Sequence, residues 1–375
     1  MVVKQIGVIG GGQLAWMMAK VAPKLDLKLI VQTPSSLDPA VGVADDAILA
    51  AIEDEVATAQ LATRCDAITF ENEFVDLEKL RYLEAKQVRF RPRLDAIAPL
   101  LDKYQQRHYL RQLGIPVPEF RLLETPADFE NLTFPLVLKA RRHGYDGQGT
   151  FILKSENELK QLWERLECPS MLVEAFVPFS QELAVMAARS PQGDMAFYPV
   201  VETQQKQQVC CRVIAPAFVE NIVTAQIQAI ARTILENLEV IGIFGIEFFL
   251  TADNKVLVNE IAPRTHNSGH YSLDACDISQ FEMQLRAVAD LPVISPQLHC
   301  PQAVMVNLLG YETAERDYVK QRERIAALPQ TFVHWYGKSQ ARPGRKLGHV
   351  TTLLPQRDRD QANAIAAQIE NLWYS

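Results

Sequence analysis

Two glutamates interrupt apolar stretches of this 375-residue chain. Glu247 stands inside "IGIFGIEFFL" and Glu260 inside "KVLVNEIAP", with Asn259 beside it. Both stretches read as strands, where an unpaired carboxylate costs on the order of several kcal/mol. Two such groups on neighbouring strands repel unless a cation lies between them. Glu247, Glu260 and Asn259 offer oxygen alone, which suits magnesium or manganese bridging to substrate phosphates.

Further upstream, Lys139 ends the strand-like "FPLVLKA". A solvated lysine gains little there, so its ammonium is expected to meet an anion. Gly144-Tyr145-Asp146-Gly147-Gln148-Gly149 and Thr150 follow. Three glycines in so short a span make a loop whose N–H groups can close over phosphates. The lysine precedes the glycines and sits on a strand, so this is not a Walker A loop. A glycine hairpin with an exposed lysine fits the same residues equally well. In "LVEAFVPFSQE", the backbone of Ala175, Phe176 and Val177 could hold an adenine edge, with Glu174 before it and Glu182 reaching ribose hydroxyls. Taken singly, each glutamate reads as a surface ion pair.

Two basic segments follow. "APRTHNSGHYS" carries Arg264 and His266, able to hold a small anion and move protons. His266 and His270 have zinc-helix spacing, but the intervening Asn-Ser-Gly argues against a helix and no third soft ligand is evident. "RPGRKLGH" places Arg342, Arg345, Lys346 and His349 in one Gly/Pro-rich loop, a candidate phosphate site.

The N-terminal "QIGVIGGGQLAWMM" raises a different possibility. Gly10, Gly12 and Ala15 fit a dinucleotide fingerprint. The second strand, however, ends in Gln32, Thr33 and Ser35, without the carboxylate that binds ribose. Glycine needed for backbone reasons alone is the plain alternative; a helix N-terminus receiving a single phosphate or polar ligand is preferred.

These residues need a scaffold. A net charge of −7 argues against nucleic acid or acidic membrane as partner, and 48% hydrophobic residues describe an ordinary globular chain. No apolar run is long enough to span a membrane. Six scattered cysteines without a C-x-x-C point to a reducing, cytoplasmic setting. Strand patterns at Gln5–Ile9, Leu27–Val31 and Ala67–Phe70 alternate with helical ones, predicting a parallel α/β domain over residues 1–101. A helix from Lys103 stops at "LGIPVPEF" and opens a largely antiparallel α+β domain over 102–290, with an amphipathic helix at Thr224–Leu238 and an exposed hairpin at "QQKQQ". Residues 291–375 read as a small closing domain ending in a helix.

In combination, Lys139, the glycine loop, Glu174 to Val177, Glu182, Glu247 and Asn259-Glu260 resemble the ATP-grasp superfamily. "GGGQL", "TFENEFVD", "GYDGQG", "NEIAPRTHNSGH" and "HWYGKSQARPGRKLGH" resemble the 5-(carboxyamino)imidazole ribonucleotide synthases of purine biosynthesis, in order along nearly the whole chain. That resemblance implies an ATP-grasp fold with an N-terminal Rossmann-like domain and a small C-terminal domain. It implies ATP-dependent carboxylation of aminoimidazole ribonucleotide by bicarbonate through carboxyphosphate. Nucleotide contacts would be Lys103, Lys139, Gly144 to Thr150, Glu174 to Val177, Glu182, Gln205 and Asn259-Glu260; Glu247 and Glu260 would hold magnesium. Aminoimidazole ribonucleotide would lie near Gly12, Gln13, Glu73, Tyr145, Arg264, Arg345 and Lys346, with Arg264, His266 and Lys346 acting in the chemistry. Phe74, Gln148 and Gln205 depart from the family pattern, where asparagine, a basic residue and histidine are usual. A homodimer is implied as well, and coupling to a carboxyaminoimidazole ribonucleotide mutase is left open. A glycinamide ribonucleotide transformylase, a biotin carboxylase, a peptide-type ligase, a nicotinamide dehydrogenase and a nucleotide-sensing scaffold are the competing readings.

Overall fold

A computed structural model describes residues 3–142, 149–167 and 170–375. The glycine-loop residues Gly144 to Gln148, with Tyr145 and Asp146 among them, lie outside this set. The N-terminal strands β1 (Gln5–Ile9), β2 (Lys28–Thr33), β3 (Asp46–Leu49) and β4 (Ala67–Phe70) form a parallel sheet in the order β3-β2-β1-β4. The continuous apolar runs of β1 and β4 reflect burial on both faces by the helices that connect the strands.

Four strands follow: β5 (Phe120–Leu123), β6 (Leu136–Ala140), β7 (Thr150–Leu153) and β8 (Met171–Ala175). They make an antiparallel sheet in the order β5-β8-β6-β7. Beneath the helix Glu156–Arg165, Leu159, Leu162 and Trp163 pack on Leu136, Leu138 and Val173.

The largest sheet contains β9 (Phe179–Arg189), β10 (Met195–Phe197), β11 (Val201–Lys206), β12 (Val209–Ala215), β13 (Gly242–Thr251), β14 (Val256–Ala262), β15 (Gln302–Leu309), β16 (Thr331–Trp335) and β17 (Lys346–Leu354). Its order is β14-β13-β9-β11-β12-β15-β17-β16, with β10 on β9. The sheet therefore runs without interruption past residue 290, because β15 pairs with β12 from Arg212↔Val306 to Ala215↔Ala303. The "QQKQQ" stretch ends β11 and its last two residues make the β11–β12 turn, where Gln207 and Gln208 have φ of 52° and 64°. That is the left-handed pair a two-residue hairpin requires.

"RPGRKLGH" does not form one loop. Lys346 and His349 belong to β17 and are buried, whereas Arg342 and Arg345 precede it. His349 is accommodated by a 2.8 Å hydrogen bond between its Nδ1 and the Tyr336 hydroxyl, and by its ring stacking on His334. The tight approach around Gly348, where an added Cβ would fall 2.5 Å from the His334 carbonyl, explains the glycine within a strand.

Candidate active site

The N-terminal glycine turn packs against a glutamate of the chain. Leu14 N–H, at the start of the helix Gln13–Val21, donates to Glu71 Oε1 at 3.3 Å. A Cβ at Gly12 would lie 2.5 Å from that same oxygen, and Gly10 adopts φ +112° beside the Glu71 side chain. A glutamate of the chain thus sits at this helix N-terminus, where Gln13, Leu14 and Glu71 all border the cavity described below. Burial raises the Glu71 carboxyl above its ordinary pKa, with Arg264 opposing. Gln32 is spent on Thr58 and the Ala51 carbonyl, and Thr33 on Asp38, so the second strand offers no ribose site.

A cavity of about 540 Å³ opens between the three sheets. Its wall gathers Gln13, Glu73, Lys103, Lys139, Thr150, Glu174 to Val177, Glu182, Gln205, Glu247, Asn259, Glu260, Arg264, His266 and Lys346. Gly12 packs behind the wall on Glu71, and Gly149 supplies the φ +78° turn into β7. Arg345 is not part of the wall; its guanidinium donates to the Gln340 carbonyl at 2.6 Å.

At one end, Glu247 and Glu260 face each other across the β13–β14 ladder. The register slips just after this pair, so Phe248 opposes Val258 and Asn259 is the extra residue. Consecutive strand residues ordinarily point to opposite faces; the bulge turns both Asn259 and Glu260 towards the cavity. The helix Lys103–Gln112 holds this edge strand: the Gln106 side chain accepts from Ile261 N–H at 3.0 Å and donates to its carbonyl at 3.2 Å.

Charge compensation here comes from the chain itself. Lys103 Nζ lies 2.5 Å from Glu260 Oε1. Burial would raise the Glu260 carboxyl, but Lys103 overcomes it and, with Lys139, holds it at about 2. Glu247 lacks so close a cation, and burial together with the Glu260 charge pushes it up to about 7. Burial and Glu247 likewise lift Glu182 to about 7. The repulsion anticipated between the two carboxylates is thus absorbed by a lysine and a retained proton. Glu247 and Glu260 supply the hard oxygens that fit a divalent cation, whereas Asn259 turns its amide nitrogen to Glu247 and its oxygen to Lys139.

Glu174 is not a surface ion pair. It is 2% exposed and bonded to both Arg107 and Lys139, the latter at 2.7 Å. Burial opposes its ionisation, and the two cations prevail to hold it at about 2. Lys139 also donates to Asn259 Oδ1 at 3.0 Å, which orients that amide beside Glu247. Arg107 was not legible as a site residue, since it sits in the polar "DKYQQRHYL" stretch with nothing to mark its inward face. Phe179 and Phe249, stacked 4.8 Å apart, complete the wall near Ala175 to Val177.

At the other end, Arg264 and Glu73 form a two-point ion pair, with Nη2 to Oε1 at 3.0 Å. Burial raises and Arg264 more strongly lowers the Glu73 carboxyl. Lys338 Nζ contacts Gln13 Oε1 at 2.7 Å. His266 caps a single 3₁₀ turn over Asn267–Gly269, with its Nδ1 2.9 Å from Ser268 Oγ. Burial, then Arg264 and Lys346, lower its pKa to about 4, so the ring is neutral near pH 7. Its Nε2 lies 3.8 Å from Glu247 Oε1, joining the two ends of the cavity.

Carboxylates and lysines that could hold a polyphosphate, set in an antiparallel sheet facing a second sheet, define the class. Residues 108–281 match the ATP-grasp domain, residues 3–99 the ribonucleotide synthetase preATP-grasp domain, and residues 303–363 the phosphoribosylaminoimidazole carboxylase C-terminal domain. This is an ATP-grasp ligase fold with all three of its parts.

Over nearly its full length the chain is similar to the N5-carboxyaminoimidazole ribonucleotide synthase of Synechocystis sp., with 54% identity covering 98% of each chain. Its structure superposes on carboxyaminoimidazole ribonucleotide synthase from Aspergillus clavatus complexed with ATP, with a TM-score of 0.92, 33% identity and coverage of 99% and 98% of the two chains. The same fungal enzyme in complex with ADP and 5-aminoimidazole ribonucleotide gives a TM-score of 0.91 at 32% identity, covering 99% and 98%. The chain belongs to the N5-carboxyaminoimidazole ribonucleotide synthase family.

Proposed function

We propose that the two ends of the cavity bind the two nucleotides of one reaction, ATP at the carboxylate end and aminoimidazole ribonucleotide at the Arg264 end. The observation carrying this reading is the juxtaposition of Glu247, Asn259 and Glu260 with His266, Arg264 and Lys346 in one cavity. The relatives' complexes with ATP and with 5-aminoimidazole ribonucleotide support it. Adenine would lie against Phe249 and the Ala175–Val177 backbone, and Glu182 and Gln205 would take ribose and phosphate oxygens. Lys103 and Lys139 would face the phosphates, with Thr150 beside them in the same wall.

Glu247 and Glu260 would hold magnesium, which when bound neutralises charge on the transferring phosphoryl group. A bicarbonate oxygen attacks the γ-phosphorus, and the bond to ADP breaks. The exocyclic amine of aminoimidazole ribonucleotide then attacks the carboxyl carbon of carboxyphosphate. A carbon–nitrogen bond forms, phosphate departs, and the amine proton leaves with it. Arg264 and Lys346 hold the carboxyl and phosphoryl oxygens in register. His266, its pKa lowered by burial and by Arg264 and Lys346, lies 3.8 Å from Glu247 and would orient oxygens and relay the amine proton to the departing phosphate. Exclusion of water from the cavity would protect the labile acyl phosphate.

ADP release measured with and without bicarbonate and aminoimidazole ribonucleotide tests the assignment. Release dependent on both supports it; release with glycinamide ribonucleotide or an amino acid as acceptor would overturn it. Dimeric assembly and cytoplasmic location belong to the same proposal. Among the described residues no helix is long and apolar enough to cross a membrane.

A further inference from the structure

Arg107 lies on the helix Lys103–Gln112, 1% exposed and behind the cavity wall rather than in it. Its guanidinium reaches two sheets: Nε donates to Glu174 Oε1 on β8, and Nη2 donates to the Asn259 carbonyl on β14. From there the contacts close into a ring. Glu174 Oε2 meets Lys139 Nζ at 2.7 Å, and Lys139 Nζ donates to Asn259 Oδ1 at 3.0 Å.

The Asn259 carbonyl fixes where the guanidinium points. Asn259 is the extra residue of the bulge and has no partner in the β13–β14 ladder, so its carbonyl needs a donor from elsewhere. The helix supplies it: Gln106 serves the Ile261 backbone, and Arg107, the next residue, serves Asn259. With one arm of its planar fork held there, Arg107 presents Nε to Glu174.

The consequence is electrostatic. Glu174 stands between two cations, and together they overcome burial to keep it ionised. One carboxylate against two cations leaves a positive charge in excess. Arg107 is enclosed, whereas Lys139 belongs to the cavity wall, so the excess is presented to the cavity at Lys139. Without Arg107, Glu174 would neutralise that lysine. Lys103 does not supply the charge in its place, because it is paired with Glu260.

We propose that Arg107 is a positioning residue for the nucleotide's polyphosphate: by occupying one oxygen of Glu174, it leaves the charge of Lys139 for the phosphates. The inference rests on the nucleotide assignment proposed above. Arg107 acts through Glu174 and Lys139, so its loss should be felt in nucleotide binding and not in the binding of the second substrate.

The test compares the full-length wild type with Arg107→Gln, Arg107→Lys and the double variant carrying Arg107→Gln and Glu174→Gln, by calorimetric titration with ADP and by steady-state kinetics. Arg107→Gln keeps a polar side chain and removes the charge; it should weaken ADP binding and raise KM for ATP by about 20-fold, with KM for aminoimidazole ribonucleotide unchanged. Arg107→Lys keeps the charge and should bind ADP within about threefold of wild type. The double variant also removes the carboxylate that would neutralise Lys139, so most of the lost affinity should return. A role in folding alone gives the reverse order, with the double variant at least as impaired as the single one because a further native bond is gone. Folded Arg107→Gln protein with ADP affinity within about twofold of wild type overturns the proposal, as does Arg107→Lys as impaired as Arg107→Gln. Should Arg107→Gln not fold, the double variant decides, since it leaves no buried carboxylate short of a cation; an ADP affinity about tenfold or more below wild type overturns the proposal there. Wild-type protein that binds no ADP would instead overturn the nucleotide assignment.

Discussion

The two ends of the cavity are built by different means. At the carboxylate end, Glu247, Asn259 and Glu260 come from adjacent strands, and strand register and one bulge place them. At the Arg264 end, contacts join residues 191 and 325 positions apart, as in Arg264–Glu73 and Lys338–Gln13. Side-chain pairs that cross between sheets occur at both ends, Lys139–Asn259 at the first and Arg264–Glu73 at the second, but at the first a strand ladder also sets the spacing of the two carboxylates. The first should keep that spacing when a neighbour changes; the second should respond to any partner that is lost.

The largest expected effect separates the ends outright. Glu247→Gln and Glu260→Gln should each reduce ADP release by about 1000-fold with little change in fold. Magnesium-dependent turnover at the wild-type rate in either variant would end the comparison. Next, Arg264→Lys keeps the charge but loses the two-point geometry with Glu73. It should raise KM for aminoimidazole ribonucleotide about 30-fold and cost about 3 kcal/mol in urea unfolding, whereas KM for ATP stays unchanged.

A pH series sharpens the contrast. Glu247, at about 7 when folded, lies above its ordinary value of 4.5, so the folded state holds a proton that the unfolded state releases. Its contribution to stability is therefore lost as pH rises from 4.5 to about 7. Lowered His266, His270 and His349 act in the opposite sense, so the effect is read as a difference. Glu247→Gln should gain stability relative to wild type across that interval, and magnesium affinity of the wild type should rise over the same range. Parallel unfolding curves for the two proteins from pH 5 to 8 would contradict this. Smallest of all, Phe249→Leu should raise KM for ATP about fivefold and leave the second nucleotide's KM alone, a split that steady-state kinetics resolves.

The same contrast governs what could be read from the residues alone. Glu247 and Glu260 were visible because a carboxylate stands out in an apolar run, and β1, β4 and β13 were visible because their runs are continuous. The bulge that turns Asn259 inward leaves no trace in the residue types. Glu71 went unrecognised as the partner of the first helix, since pairing it with Leu14 requires β4 to lie beside β1. Lys346 and His349 were assigned to a loop because Gly and Pro precede them. Within that strand His349 is sustained by the Tyr336 hydroxyl and the His334 ring.

The unbroken ladder from β12 into β15 carries a consequence for how the chain can be divided. A fragment ending near residue 290 would leave the Arg212–Ala215 backbone with its hydrogen-bonding groups bare, an edge that invites aggregation. The terminal segment therefore cannot be exchanged as a cassette between homologues unless the seam along β12 is carried with it.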